Sequence, residues 1–212
     1  MILFPDTFTN YNYPNLGQSA VKFFEHIGYR VIVPETHCCG RPMLSNGMLN
    51  KARKHAQFNV ETLYPLVKHG AKIVGLEPSC ILTFRDEYLD LLDKNPQAKL
   101  VAESSMLVEE FVKHAVENEE ILVDLSSYKS KLLFHGHCHQ KALVGSEAAI
   151  EILELLPRTQ VEEIQSGCCG MAGSFGFEKD HYEASLKIGE QSLFGPIRSA
   201  GTDVQLVSEG VS

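Results

Sequence analysis

The motif Cys-Cys-Gly occurs twice in this 212-residue chain, at 38–40 and again at 168–170. The two copies lie 130 residues apart, and at the same offset the apolar pair Leu3–Phe4 falls on Leu133–Phe134. Self-similarity at a fixed spacing is typical of a duplicated structural unit. We therefore expect two related halves, each built around one Cys-Cys-Gly motif.

The expected boundaries follow from this repeat. The first copy covers residues 1–117, a linker covers 118–131, and the second copy covers 132–212.

The two copies differ in their other cysteines. Cys138 of the second copy lies opposite Phe8 of the first, so the first copy lacks a cysteine at that position. Cys80 of the first copy lies opposite the residue that would follow Ser212. We therefore expect the second copy to be truncated at its C-terminus, just before its last cysteine.

Charge and hydropathy exclude several classes of protein. Lys and Arg total 19 against 27 Asp and Glu, which gives a net charge of −8 and argues against a nucleic-acid partner. No apolar stretch approaches the roughly 18 residues that a membrane-spanning helix needs. We expect a cytoplasmic protein, with any contact to the inner face of a membrane made through partners.

Strand and helix patterns alternate along both copies, which predicts an α/β fold. The two Rossmann-like halves should contain parallel sheets, face each other and carry the cysteines at their junction. The predicted strands are Ile2–Phe4, Arg30–Val33, Lys72–Leu76, one near Leu100, Leu132–His135, Gln160–Ile164 and Val204–Val207. The predicted helices are Asn15–His26, Leu49–Lys68 with a break at Pro65, Ser79–Leu92 capped by Ser79, Ser105–Val116, Ser146–Leu156 and Tyr182–Phe194.

All six cysteines follow predicted strands by a few residues, so each lies at a strand's carboxyl end, where sites form in α/β sheets. They are Cys38, Cys39, Cys80, Cys138, Cys168 and Cys169. Thiolates bind zinc and iron–sulfur clusters well, but the sequence has no Cys-x-x-Cys pair of the kind common in zinc sites. Adjacent cysteines can reach two irons of one cluster. An iron–sulfur cluster is therefore our first hypothesis and a structural zinc the alternative; metal-free thiol–disulfide chemistry and plain buried cysteines remain open.

The segments beside the cysteines carry further candidate residues. If the strand before Cys138 continued, His135, His137 and His139 would lie on one face of it. They could then be metal ligands, hydrogen-bond donors or proton carriers beside a cluster, or residues with only a structural role. The other histidines, His37 excepted, are expected on the surface. The glycine-rich loop at 167–176 leaves backbone N–H groups free to point at sulfur. Phe175 and Phe177 are expected either on a partner-binding face or packed against this loop.

Six segments resemble a known family: LFPDTFTNY, HCCGRPMLSNG and LEPSC in the first copy, and LFHGHCHQKAL, SGCCGMAGSFGFE and KIGE in the second. They are similar to the cysteine-rich "CCG" domain found in the B subunit of heterodisulfide reductase. Within that family the chain looks most like the C-terminal iron–sulfur region of flavin-linked D-lactate and D-2-hydroxyacid dehydrogenases, of the glycolate oxidase iron–sulfur subunit type.

The resemblance implies an electron-transfer module that is not a complete enzyme by itself. It would receive electrons from a flavin, FAD, on another domain or subunit, and pass them on through clusters of the 4Fe–4S type. The implied cluster ligands are Cys138, Cys168 and Cys169 in the second copy and Cys38, Cys39 and Cys80 in the first. From their positions in the sequence, we further expect His37, His135, His137, His139, Gly170 and Ser174 to surround these cysteines.

Overall fold

The computed structural model describes residues 1–118 and 131–210. It divides the chain into two compact units, Met1–Leu122 and Val123–Ser212, which we call unit 1 and unit 2. The predicted linker lies almost wholly outside the described residues, and so does Ser212. The predicted domain boundaries and the correspondence of Ser212 with Ser79 therefore stay predictions.

Unit 1 alternates strands with helices, as the sequence pattern predicts. Its elements are β1 (Ile2–Leu3), α1 (Thr7–Tyr11), α2 (Pro14–His26), α3 (Arg41–Ser45), α4 (Leu49–Val67), β2 (Ile73–Gly75), α5 (Pro78–Arg85), α6 (Glu87–Leu91), α7 (Pro96–Glu103), β3 (Ser105–Leu107) and α8 (Val108–Glu117).

The three strands of unit 1 form one parallel sheet in the order β1-β2-β3. Ile73 of the central strand pairs with Ile2 on one side and with Ser105 on the other. All of β2 is buried, as expected for a parallel strand that is covered on both faces. The α/β class with parallel sheets is thereby confirmed.

Helix α5 covers this sheet, and its start differs from our prediction. The N-cap is Glu77 and not Ser79, because the Glu77 carboxylate accepts hydrogen bonds from the Ser79 amide at 3.2 Å and from its hydroxyl at 2.7 Å. Gly75 of β2 lies so close to Ile81 that an added Cβ would come within 2.5 Å of the Ile81 side chain. The predicted helix 79–92 is divided at Asp86, where the backbone leaves helical geometry.

Three other predictions in unit 1 are wrong. The region around Leu100 is helix α7, because Asn95 accepts a hydrogen bond from the Gln97 amide and Pro96 occupies the first turn. The strand comes after it, as β3, so helix α8 begins at Val108 and not at Ser105. Pro65 does not divide α4, because it lies in the last turn of that helix.

Unit 2 has the same kind of alternation but fewer described elements. They are β4 (Lys131–His135), α9 (Cys138–Leu143), α10 (Glu147–Glu154), β5 (Gln160–Glu163), a 3-10 turn (Phe175–Phe177), α11 (Tyr182–Glu190), α12 (Phe194–Ser199) and β6 (Val204–Ser208). The predicted helix 182–194 begins at the correct residue but ends earlier, at Glu190, and Phe194 begins a separate helix, α12.

The sheets of the two units share a common arrangement. The sheet of unit 2 is parallel, with its strands in the order β5-β4-β6. In unit 1, β1 pairs with β2 on one side and, through a single parallel bridge between Ile2 and Ile32, with the segment before the motif on the other side. That bridge is the part of the predicted strand Arg30–Val33 that forms. In each unit the strand before the Cys-Cys-Gly motif thus lies beside the first strand. This shared order agrees with a duplication.

Within residues 1–118 and 131–210, no helix is both long enough and apolar enough to span a bilayer.

The core of unit 1 yields a first prediction. Leu82 of α5 is fully buried, so Leu82→Ala should lower the free energy of unfolding by about 2–5 kcal/mol. Leu16→Ala removes the same atoms from a side chain that is 50% exposed, and it should change the free energy of unfolding by less than about 0.5 kcal/mol. Urea unfolding followed by circular dichroism measures both, and equal losses would contradict the packing described.

Candidate metal centre

Three cysteine thiols of unit 1 come together at the carboxyl end of its sheet. Cys39 Sγ lies 3.0 Å from Cys80 Sγ, and both residues are buried. Cys38 hydrogen-bonds to Cys39 and is only partly buried. The hydrogen bond to Cys39, followed by burial, raises the pKa of Cys38. The three sulfurs thus form a continuous group with one edge near solvent.

Backbone amides point at these sulfurs. The Gly40 and Arg41 amides donate to Cys38 and Cys39, respectively. The second motif repeats this pattern, with Gly170 N donating to Cys168 Sγ at 3.3 Å and Met171 N donating to Cys169 Sγ at 3.5 Å. In each motif the amide two residues on from a cysteine thus faces its sulfur.

The glycine of each motif makes this turn possible. Gly40 has φ +96° and Gly170 has φ +93°, a left-handed conformation that costs other residues about 1–2 kcal/mol. At Gly170 space is also limiting, because an added Cβ would lie 2.2 Å from the Ser185 carbonyl oxygen. A conformational requirement therefore explains the Gly in both motifs.

Asn59 of α4 anchors the first cysteine loop. Its side chain is fully buried, accepts from the His37 amide at 2.8 Å and donates to the His37 carbonyl at 3.1 Å. It also donates to the Tyr88 hydroxyl at 2.9 Å. Burial raises the pKa of Tyr88, and the three nearby sulfurs raise it further. Sequence reasoning missed both residues, because a single Asn or Tyr on a helix carries no pattern.

His37 and His55 lie beside this loop. His37 stacks in parallel on Phe58, with ring centroids 3.9 Å apart, and its ring centroid is 4.9 Å from that of His55. The His55 ring nitrogen Nδ1 lies 3.2 Å from the Cys38 carbonyl oxygen. We expected His55 to be an ordinary surface residue, and that expectation is wrong.

In unit 2, Cys138 lies near the second cysteine pair. Partial desolvation of its thiol raises the pKa of Cys138, and the nearby Cys168 and Cys169 raise it further. Cys138 itself is exposed and begins helix α9. Cys169 packs against the apolar cluster around Leu133. The structure thus groups three candidate ligands within each unit.

The histidines around Cys138 do not share a strand face. Strand β4 ends at His135, and His137 is instead the N-cap of α9, where its Nδ1 accepts from the His139 amide at 3.2 Å. His135 is buried and its Nδ1 lies 2.9 Å from Ser166 Oγ. Lys141 donates to the Ser166 carbonyl at 2.6 Å. These contacts tie α9 and β4 to the loop that precedes the cysteine pair.

The remaining candidates lie in the glycine-rich loop. The exposed Ser174 donates its hydroxyl to Glu178 Oε1 at 3.2 Å. Phe175 stacks on His181 with ring centroids 4.1 Å apart, and the His181 side chain is 43% exposed, as expected of a surface residue. Phe177 is 65% exposed and is therefore not packed against the loop.

The donor set fits an iron–sulfur group. In unit 1 it consists of soft sulfur atoms in mutual contact, with backbone N–H groups directed at them. In unit 2 the same two kinds of amide are directed at Cys168 and Cys169. Over residues 1–118 and 131–210, no three His, Cys, Asp or Glu side chains adopt the arrangement that a single metal ion needs.

Gly170→Ala tests the turn of the second cysteine loop. The left-handed backbone conformation should cost an alanine about 1–2 kcal/mol, and its clash with Ser185 should cost about 1–3 kcal/mol more. Both effects lower the free energy of unfolding. Gly173→Ala is the matched control, because Gly173 also has positive φ but nothing lies within 4 Å of its added Cβ. Chemical unfolding should rank Gly170→Ala as clearly the more damaging change; equal effects would show that the Ser185 contact is unimportant.

His135 predicts a pH dependence of stability. Burial, followed by Lys141 and His137, lowers its pKa from 6.5 to about 4, against the opposing effect of Glu163. The unfolded state then binds more protons between these values, so stability should fall as the pH drops from 6.5 to about 4.

The measurement is the free energy of unfolding of the metal-free chain as a function of pH. His135→Gln should flatten the curve over this window, and the exposed control His26→Gln should leave its slope unchanged. An unchanged slope in His135→Gln would contradict the assignment.

Comparison with known proteins gives a family match over more than half of the chain. The model of the family described as "CCG: Cysteine-rich domain" matches residues 6–85 and 132–194. These ranges include all six cysteines.

Three kinds of curated relative are similar to this chain. The C subunit of anaerobic glycerol-3-phosphate dehydrogenase from Escherichia coli (strain K12) is 31% identical over 95% of this chain and 50% of its own length. D-2-hydroxyglutarate dehydrogenase of the same strain is 29% identical over 91% of this chain and 18% of its own length. Lactate utilization protein A of an Exiguobacterium species is 29% identical over 77% of this chain and 67% of its own length. The chain thus spans half or less of the first two relatives.

Proposed function

This chain belongs to the CCG cysteine-rich domain family, and from that premise we propose that it is the iron–sulfur electron-transfer module of an oxidoreductase. The enzyme would oxidise a small 2-hydroxy acid such as D-lactate or glycolate. The observation that carries the proposal is the pair of Cys-Cys-Gly loops, each of which presents two sulfurs with backbone amides directed at them.

The six cysteines are the proposed ligands, three from each unit. Cys138, Cys168 and Cys169 would serve unit 2, and Cys38, Cys39 and Cys80 would serve unit 1. When bound, a cluster of the 4Fe–4S type supplies one-electron transfer over a range of potentials that its protein surroundings set. Adjacent cysteines suit a polynuclear group because their two sulfurs can reach different metal atoms.

The surrounding residues would stabilise the charge on the sulfurs. The Gly170 and Met171 amides hydrogen-bond to Cys168 and Cys169, and such bonds favour the more negative, reduced state. In unit 1, Asn59 keeps the cysteine loop in place through His37. His137 and His139 would hold hydrogen bonds or protons beside the second group.

The substrate class and the partner come from the relatives' names. One relative is named for 2-hydroxyglutarate, which is a 2-hydroxy acid, and another for lactate utilization. A third is named as one subunit of a dehydrogenase. We propose that a flavin on a partner domain or subunit takes the hydride from the substrate, and that the electrons then pass to this module.

The test is anaerobic reconstitution of the chain with iron and sulfide. The wild-type chain should become brown, with iron and acid-labile sulfide in comparable amounts per chain. Cys168→Ser or Cys169→Ser should abolish iron binding to unit 2, because serine replaces a soft thiolate with a weak oxygen donor. Iron and sulfide analysis measures this directly.

Cys80→Ser is the matched comparison, since it makes the same chemical change in unit 1. It should reduce iron content less than Cys168→Ser, because unit 1 lacks a cysteine counterpart of Cys138. Equal losses in all three variants would instead indicate one shared site. A colourless chain that holds stoichiometric zinc and no iron would contradict the proposed function.

A further inference from the structure

We infer that Thr7 occupies in unit 1 the position that Cys138 occupies in unit 2, so that unit 1 presents three thiols and one hydroxyl to its metal group. The identity of that group rests on the proposed function. The position of Thr7 does not, because it follows from the fold alone.

The two residues occupy the same place in their units. In unit 1, β1 is followed by the N-cap Asp6, and Thr7 is the first residue of α1. In unit 2, β4 is followed by the N-cap His137, and Cys138 is the first residue of α9. In both caps the side chain accepts from a backbone amide, from Thr9 N at 2.9 Å and from His139 N at 3.2 Å, respectively.

A one-residue difference in loop length explains why Phe8 was expected at this position. Phe4 and Phe134 are equivalent by the repeat and each is only 1% exposed. One residue, Pro5, separates Phe4 from the cap of α1, whereas two residues separate Phe134 from the cap of α9. A constant offset therefore selects Phe8, while alignment of the caps selects Thr7. The expectation that Phe8 stands opposite Cys138 is corrected in this way.

A hydrogen bond of Thr7 to a cysteine supports the alignment of Thr7 with Cys138. Its side chain hydrogen-bonds to Cys38, the first cysteine of the pair in unit 1. In unit 2, the nearby Cys168 raises the pKa of Cys138 more than Cys169 does, and Cys168 is again the first cysteine of its pair. In both units the first residue of the capped helix thus lies near the first cysteine of the pair, with a hydroxyl in unit 1 and a thiol in unit 2.

The exchange of sulfur for oxygen changes what unit 1 can hold. Thiolates are the preferred ligands of iron–sulfur clusters, whereas a neutral alcohol is a weak ligand for iron. Residues 1–118 contain only the cysteines Cys38, Cys39 and Cys80. Cys38, Cys39 and Cys80 would therefore hold such a group through three thiolates, while Thr7 would offer only a weak oxygen donor, so part of the iron should be easily removed by a chelator.

The experiment compares Thr7→Cys with its neighbour Phe8→Cys. In the metal-free chain, a small reagent disulfide oxidises pairs of adjacent thiols: two thiols form a disulfide and release two protons and two electrons, and the reagent leaves as two thiols. Peptide mapping should find a link between the introduced thiol and Cys38 in Thr7→Cys but not in Phe8→Cys. This arm needs no metal and tests the position alone.

The second arm measures iron after identical anaerobic reconstitution. In Thr7→Cys the chelator-labile fraction of the iron should fall relative to wild type, and the electron paramagnetic resonance spectrum of the reduced cluster should change. Phe8→Cys should match wild type in both measurements. Thr7→Val, which keeps the shape and removes the hydroxyl, should leave at least as large a labile fraction as wild type.

The outcomes separate this inference from the proposed function. Absence of the link in Thr7→Cys, or equal linking in Phe8→Cys, overturns the assigned position. A link without any change in labile iron overturns the ligand role of position 7 while leaving the proposed function intact. Iron missing from every variant, wild type included, overturns the ligand role and the proposed function together.

Discussion

The left-handed turn at the glycine of each Cys-Cys-Gly motif is the constraint on which both sites depend. Gly40 and Gly170 have nearly the same φ, and each turn aims two backbone amides back at the two cysteine sulfurs. Parallel strands deliver the motifs to the carboxyl edge of a sheet, but the turn decides which way the sulfurs and amides face. A side chain at Gly170 would also collide with the backbone at Ser185, so the conformation and the space both select glycine there.

The two units hold their cysteine loops by different polar contacts. Unit 1 uses one fully buried side chain, Asn59, whose bonds to His37 and Tyr88 are each worth about 0.5–1.5 kcal/mol, and whose loss would leave buried partners unsatisfied at greater cost. Unit 2 instead uses contacts of Lys141 and His135 with Ser166, just before the motif. The two units thus share the turn and the sheet order, while the contacts that support the cysteine loops differ between them.

The cysteines of unit 1 lie together largely in the interior. Cys39 and Cys80 are nearly inaccessible to solvent, so a charged group bound there would be screened little by water. Burying a charged group costs free energy, and the amides directed at the sulfurs and the hydroxyl of Thr7 would offset part of that cost. Unit 2 exposes Cys138, and its strand β6 leaves Leu206 53% exposed, whereas the equivalent strand β2 is wholly buried. The two candidate sites therefore differ in their solvation as well as in their proposed ligands.

The sequence by itself determined the α/β class, the repeat and the set of cysteines, because these depend on residue spacing and on the alternation of strands and helices. It misplaced the strand near Leu100, because the cap at Asn95 and Pro96 was overlooked, and it overextended the strand at Arg30–Val33. Only the tertiary structure revealed Asn59, Tyr88 and His55 at the first site, since long-range hydrogen bonds leave no local pattern. Only the tertiary structure, too, indicated that Thr7 and not Phe8 corresponds to Cys138. The loop after the first strand is one residue shorter in unit 1, so a constant offset misaligns the residues that follow it, and the positions of the helix caps are needed to align them.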